Sequence, residues 1–258
     1  MPNLDSKKKH RLDQVLVEKK LAKSRQRAQA IIMAGAVLVN DQPVLKAGKL
    51  ISPEDKIELR GREMPFVSRG GLKLDGVLDT LQVDVTHKIC LDVGASTGGF
   101  TDCLLQRGAE LIYAVDVGYG QLAWKLRQDP RVVVIERTNI RKMPADALPH
   151  PVDLVTIDVS FISLKIVVPD VVKYVKKDAR ILALIKPQFE VGKNQVGKGG
   201  VVRDPVMHHQ VIEQLTEFFA GIGLQSEAVV PSALIGPKGN REFFIYLNFD
   251  TKFRSNKA

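Results

Sequence analysis

The sequence predicts a small α+β domain followed by an α/β domain on a mainly parallel, seven-stranded sheet that ends in an antiparallel hairpin. Three observations predict it. From about Val67 onward, short apolar runs recur at residues 89–93, 111–115, 132–135, 154–157, 181–185 and 243–247, with helical stretches between most of them. Runs of that length in that alternation fit strands buried on both faces by helices. Residues 225–230 add a strand close enough in sequence to pair with 243–247 as a hairpin. Before residue 60 the spacing and the charge are different.

In that first part, Leu12, Val15, Leu16 and Leu21 fall on one helical stripe. Ser24 is a good N-cap for a second helix carrying Ala28, Ile31 and Ile32, and Gly35 marks its stop. Residues 36–44 read as strand, turn and strand, and residues 56–59 as a further strand. The expected boundaries are a first domain over 9–60, a linker over 61–66 and a second domain over 67–250.

Composition narrows the class. Hydrophobic residues make up 45% of 258, which suits a packed core. No apolar run reaches the ~18–20 residues of a membrane-spanning helix. The charges at the start are followed by no apolar core, so no signal peptide is expected. Two cysteines, Cys90 and Cys103, cannot build a disulfide framework or a metal site. A cytoplasmic protein without a bound metal is the expectation. The net charge is +9, and residues 1–64 hold 14 basic against 8 acidic side chains, so most of the excess lies in the first quarter. Such an asymmetry favours a polyanion, either nucleic acid or an anionic membrane surface.

Residues 92–100, Asp-Val-Gly-Ala-Ser-Thr-Gly-Gly-Phe, follow the first strand of the sheet and precede a helix read over 102–107. Gly94, Gly98 and Gly99 allow close approach of backbone to a ligand, with Ala95, Ser96 and Phe100 around them. The next strand ends in Asp116, where a carboxylate can accept bonds from ribose hydroxyls. A dinucleotide site uses similar glycines and a similar acid. Two features favour S-adenosylmethionine (AdoMet) instead: Asp92 would repel a pyrophosphate but tolerates a sulfonium, and Ser96 replaces the second glycine of the dinucleotide pattern. Asn139, after the third strand, is a candidate for the adenine region or an ordinary loop residue. Trp124 is read as helix packing, with stacking near the cofactor as the alternative. The loop over 191–204 is rich in Gly and Lys and reads as a phosphate-contacting lid or a plain loop. It lacks the full nucleotide-triphosphate pattern.

Four charged residues stand out: Lys73 in the segment 68–73, Asp158 and Lys186 at the ends of the fourth and fifth strands, and Glu242 at the start of the last. In an open parallel sheet the carboxyl ends of strands collect over one crevice. Methylating a hydroxyl requires its deprotonation, and lysine is a poor base near its reference pKa of ~10.4. Burial and a nearby cation lower that value. Lys186 is therefore the candidate base, Lys73 the second cation, and Asp158 and Glu242 the groups that orient the lysines and balance charge. The fourth strand ends in Asp158-Val-Ser-Phe161, not the Asn/Asp-Pro-Pro-Tyr/Phe loop of amino-nitrogen methylation. Carbon methylation usually needs a cysteine nucleophile, and Cys90 and Cys103 both read as core.

Arg11, Lys19, Lys20, Lys23, Ser24, Arg25, Arg27 and Asn40 are the candidate RNA contacts, with cations gathered around the junction of the two helices. The Arg11-Leu-Asp start, the Ser24-Arg25 pair, and Gly35 followed by Val37, Val39 and Asn40 resemble the alpha-L RNA-binding domain. Over essentially its whole length the chain resembles the TlyA-type family, in which that domain is fused to an FtsJ-like ribose methyltransferase with a Rossmann-like fold. The FtsJ-type tetrad Lys-Asp-Lys-Glu matches Lys73, Asp158, Lys186 and Glu242 in order. The resemblance implies AdoMet-dependent 2′-O-methylation of a cytidine in large-subunit ribosomal RNA, with ribosomal RNA or a ribosomal subunit as partner. No membrane and no obligate protein partner is expected. Family members often carry the name hemolysin, so a membrane-active protein is one alternative; a noncatalytic ribosome-binding or assembly factor is another.

Overall fold

The computed structural model describes residues 9–59, 65–192, 195–197 and 199–249. The chain forms two separately packed units, one within residues 1–63 and one within 64–258. The expected linker, 61–66, falls largely outside the described residues. Its last residue, Phe66, belongs to the core of the second unit instead.

The first unit contains β1 (His10–Arg11), α1 (Leu12–Glu18), α2 (Arg25–Met33), β2 (Val37–Val39), β3 (Gln42–Pro43), β4 (Leu50–Ile51) and β5 (Ile57–Leu59). Leu12, Val15, Leu16, Ala28, Ile32, Val37 and Val39 close one small core. Ser24 caps α2 by accepting from the Arg27 amide at 3.2 Å, as its position predicts. Gly35 follows with φ +71, the left-handed stop that glycine adopts without strain.

Asp13 is fully buried in this unit. It accepts two bonds from Arg11, one from Arg25 and one from Gln29, each 3.0 Å. The guanidinium of Arg11 foremost holds its carboxyl well below the usual carboxylate range, against the opposing effect of burial. A depressed carboxylate stabilises the fold above its unfolded pKa of ~3.9 and loses that contribution as pH falls below it. Asp13→Ala is expected to destabilise this unit by about 1–3 kcal/mol, because it removes the charge-assisted hydrogen bonds of a buried carboxylate while Arg11 and Arg25 stay solvated. Faster amide hydrogen exchange over residues 10–59 is the measurement; unchanged protection would refute it.

The second unit runs through α3 (Arg69–Thr80), β6 (Ile89–Val93), α4 (Gly99–Gln106), β7 (Leu111–Val115), α5 (Trp124–Arg127), β8 (Val132–Ile135), β9 (Val152–Ile157), α6 (Leu164–Val171), β10 (Val175–Ile185), α7 (Pro187–Glu190), α8 (Pro205–Gly221), β11 (Leu224–Pro231) and β12 (Phe243–Phe249). Its sheet has the order β11-β12-β10-β9-β6-β7-β8. The strands from β10 to β8 are parallel, and β12 runs antiparallel to both β10 and β11. The expected sheet and hairpin are therefore both present.

Alternate strand residues face opposite layers, as the pleat requires. Leu91, Val93, Val155, Ile157, Ile181, Ala183 and Ile185 meet α6 and α8. Cys90, Ile112, Ala114, Leu154, Leu182 and Leu184 meet α3 and α4. Cys90 and Cys103 are fully buried among them, as read from the sequence. The order reverses at β6, which has β9 on one side and β7 on the other. That switch point opens a crevice at the carboxyl ends of the strands.

Two readings need correction. The helix expected over 102–107 begins at Gly99, because Gly98 turns the chain with φ +92 and the first turn is built from Gly99 and Phe100. Trp124 is 71% exposed at the start of the four-residue α5 and packs into no core.

Candidate functional site

The crevice at the switch point is a cleft of about 430 Å³, within the size range of small-molecule pockets. Its floor is the segment between β6 and α4 together with the first turn of α4, represented by Gly94, Ala95, Ser96, Thr97, Gly99 and Phe100. The start of α3 supplies Ser68, Arg69, Gly70 and Lys73. The segments after β9 and β10 supply Asp158, Ser160 and Lys186, and Ile235 and Gly236 close the rim.

Close backbone packing explains the glycines. Gly94 has φ +85, and a Cβ there would lie 2.6 Å from the Asp158 carbonyl oxygen. At Gly98, where φ is +92, a Cβ would run into the Leu122 and Leu126 side chains. The Gly94 and Ala95 amides donate to the Val115 carbonyl at 2.9 and 3.2 Å, which docks the loop on the end of β7. Asp116, just beyond, accepts from the Ser96 amide at 2.7 Å and the Gly118 amide at 2.6 Å. Its carboxylate is thus held in place at the edge of the loop.

Asp92 does not line the cleft, contrary to the reading that set its charge against a ligand. It is fully buried, one face below the loop, and accepts from Thr101 Oγ1 at 2.7 Å and Thr156 Oγ1 at 3.2 Å. Its parity along β6 matches Cys90 and points it at α4, where Thr101 waits. Burial raises its pKa to about 7, although both threonines oppose the shift. A raised carboxyl pKa costs stability as pH rises from ~3.9, its unfolded value, through 7. Asp92→Asn keeps the shape and removes the titration. The variant is expected to lose part of the fall in thermal stability between pH 4 and 8; a melting profile that parallels the parent across this range would contradict it.

The four charged candidates form two ion pairs. Lys73 Nζ lies 2.5 Å from Glu242 Oε2, and both side chains are buried. Lys186 Nζ lies 2.5 Å from Asp158 Oδ1 and donates to Ser160 Oγ at 3.0 Å. Topology brings them together. Asp158 and Lys186 follow the adjacent parallel strands β9 and β10. Because β12 is antiparallel, its start lies beside the end of β10, with Ile185 opposite Phe243, and this delivers Glu242 to the same edge. Each lysine has its own carboxylate.

Other candidates are engaged elsewhere. Asn139 accepts from the Arg141 amide at 3.1 Å and caps the short turn Ile140–Lys142. Asn40 donates to Asp55 at 2.8 Å and accepts from the Lys56 amide at 2.9 Å, so its side chain ties the β2–β3 turn to the segment entering β5. Arg11 and Arg25 are tethered to Asp13 but keep 42% and 54% of their side chains exposed. Lys19, Lys20 and Lys23 are exposed beside them, and Arg27 is half-buried. In the 191–204 loop, Val201 and Val202 are buried, and Asn240 holds the Val202 amide and the Gly200 carbonyl. Ser68, Arg69, Gly70, Thr97, Ser160, Ile235 and Gly236 line the cleft without having been singled out from the sequence. Ser160 alone carried a legible signal, since it lies two residues beyond a strand-terminal acid.

Among the described residues no cluster of His, Cys, Asp or Glu could hold a metal, and no helix is long and apolar enough to cross a membrane. A parallel sheet with an inserted antiparallel strand, a glycine-floored cleft at its switch point and paired lysines beside it define a Rossmann-like methyltransferase. The sequence profile of the FtsJ-like methyltransferases matches residues 66–249, and that of the S4 domain matches residues 10–57. This chain belongs to the FtsJ-like methyltransferase family and carries an S4 domain in front of it. It is 47% identical over 242 residues to the "16S/23S rRNA (cytidine-2'-O)-methyltransferase TlyA" of Mycobacterium tuberculosis, covering 93% of this chain and 90% of that one. It is 38% identical over 237 residues to "Hemolysin A" of Brachyspira hyodysenteriae, covering 92% and 98%. A solved structure, "Putative hemolysin from Streptococcus thermophilus", superposes with a TM-score of 0.74 at 40% identity, covering 95% and 90%.

Proposed function

We propose that this protein is an AdoMet-dependent methyltransferase that modifies the ribose 2′-hydroxyl of a cytidine in ribosomal RNA, in the large subunit. The observation that carries the reading is the Lys186–Asp158 pair beside a glycine-floored cleft, with the Lys73–Glu242 pair at the same edge. The relatives' names and the S4 domain support RNA as the acceptor. A ribosomal substrate implies action in the cytoplasm.

The cleft suits AdoMet in size and in its backbone-lined floor. Gly94, Ala95, Ser96, Gly98, Gly99 and Phe100 would hold it, and Asp116 would accept from its ribose hydroxyls. Asn139 keeps an NH₂ donor for the adenine. Bound AdoMet supplies an electrophilic methyl group on a sulfonium sulfur. Lys186 takes the proton that the ribose hydroxyl loses, and Asp158 balances the ammonium so formed. Lys73 and Glu242 hold each other in register at the cleft edge. Positioning the hydroxyl supplies much of the rate. The exposed cations around the α1–α2 junction contact phosphates, which gives affinity without sequence information.

The test is to incubate the protein with labelled AdoMet and separated, undermodified ribosomal subunits, then map the label. Label on the 2′-oxygen of a cytidine in the large subunit is expected. No transfer to either subunit, under conditions where AdoMet binds, would overturn the reading.

A further inference from the structure

We infer that Ser160 is a positioning residue for Lys186, and that its hydroxyl sets the direction in which the amine presents its lone pair. This rests on the reading of Lys186 as the proton acceptor. The two neighbours of Nζ differ in kind. Asp158 Oδ1 is 2.5 Å away, but the contact lies off the hydrogen-bonding directions, and Oδ1 has no aligned donor. Ser160 Oγ, at 3.0 Å, meets hydrogen-bond geometry. The carboxylate fixes where the nitrogen is; the hydroxyl fixes how it is turned.

That division matters for proton transfer. A neutral amine carries two N–H bonds and one lone pair, exchanged by rotation about its C–N bond. With one N–H committed to Ser160 and the other drawn to Asp158, the lone pair takes the remaining tetrahedral position. Lys186, Asp158 and Ser160 all line the cleft, the side from which a hydroxyl substrate would enter. A serine is suited to this task because its oxygen accepts an N–H while adding no charge.

Ser160 is itself held by a built loop. Phe161 has φ +64, a conformation costly for a bulky residue and maintained only where the surroundings over-determine it. The residue itself is 89% exposed, and the hold on this segment comes from its neighbours. Glu190 accepts from Ser163 Oγ at 2.6 Å and from the Leu164 amide at 2.9 Å. The Phe161 and Phe189 rings meet at 4.8 Å between centroids. The segment after β9 is thereby clamped to the segment after β10, and Ser160 is brought to Lys186.

Ser160→Ala removes the acceptor at an exposed position and leaves the clamp intact. Its kcat for methyl transfer to ribosomal subunits is expected to fall about 10- to 100-fold. KM for RNA, AdoMet affinity and the melting temperature should stay at parental values, and Ser160→Thr should restore most of the rate. Parental kcat in Ser160→Ala would overturn the inference, as would a loss that appears in KM or stability, or a threonine variant as slow as alanine. The parent protein is assayed alongside. If it transfers no methyl group, the reading of the whole site fails; if it does and Ser160→Ala matches it, only the role of Ser160 fails.

Discussion

Replacing Lys186 with methionine is expected to lower methyl transfer by about 10²- to 10⁴-fold, the usual contribution of a positioned acid or base. Methionine keeps an unbranched stem of similar reach but cannot accept the hydroxyl proton. The side chain is 11% exposed and its amine contacts Asp158, so the substitution leaves one carboxylate without its lysine partner. Asp158 is 23% exposed as a whole, but the Oδ1 that faces Lys186 is buried, so melting temperature is measured alongside activity. In protein that remains folded the loss should appear in kcat, with AdoMet affinity within a few-fold of the parent. Methyl transfer at the parental rate would assign the proton to another group.

Gly94→Ala is expected to damage both fold and activity. Two separate penalties act at this position. Alanine at φ +85 costs about 1–2 kcal/mol from clash with its own carbonyl. Its Cβ would also lie 2.6 Å from the Asp158 carbonyl oxygen, which is backbone and cannot swing aside. Overpacking of this kind costs a further ~1–3 kcal/mol. Together these correspond to a fall in melting temperature of roughly 5–15 °C for a unit of this size. Relief of the clash would push the end of β9 away from the loop, and Asp158 with it. Methyl transfer should fall more than stability alone accounts for. A variant with parental melting temperature and turnover would show that the loop tolerates the shift.

The strands were legible because buried parallel strands are short apolar runs, and residues 89–93, 111–115 and 132–135 match the observed β6, β7 and β8 to the residue. Strand β10 is longer than read, since it opens with Val175-Lys-Lys-Asp, whose charges conceal an extended backbone at the sheet margin. The two-residue strands β1 and β4 are too short to leave a period in sequence. Of the candidate site, the glycine loop and the strand-terminal residues Asp158 and Lys186 could be read from position alone. The pairing of Lys73 with Glu242 could not, because 169 residues separate them and only the reversed direction of β12 joins them. Asp92 misled for a related reason. A strand residue next to a ligand loop looks like a ligand contact, but pleat parity turns it to α4, where two threonine hydroxyls receive it.

The insertion of β12 between β10 and β11 has a consequence for biosynthesis. Lys73 emerges from the ribosome early and Glu242 late, and the slot beside β10 stays open until β12 has been made. The N-terminal unit can meanwhile fold on its own schedule, since its core draws only on residues before 60. A chain released before residue 242 would therefore carry the N-terminal unit but lack the carboxylate that pairs with the buried Lys73. The last strand of the sheet to be made is thus the one that closes both the slot beside β10 and the buried ion pair.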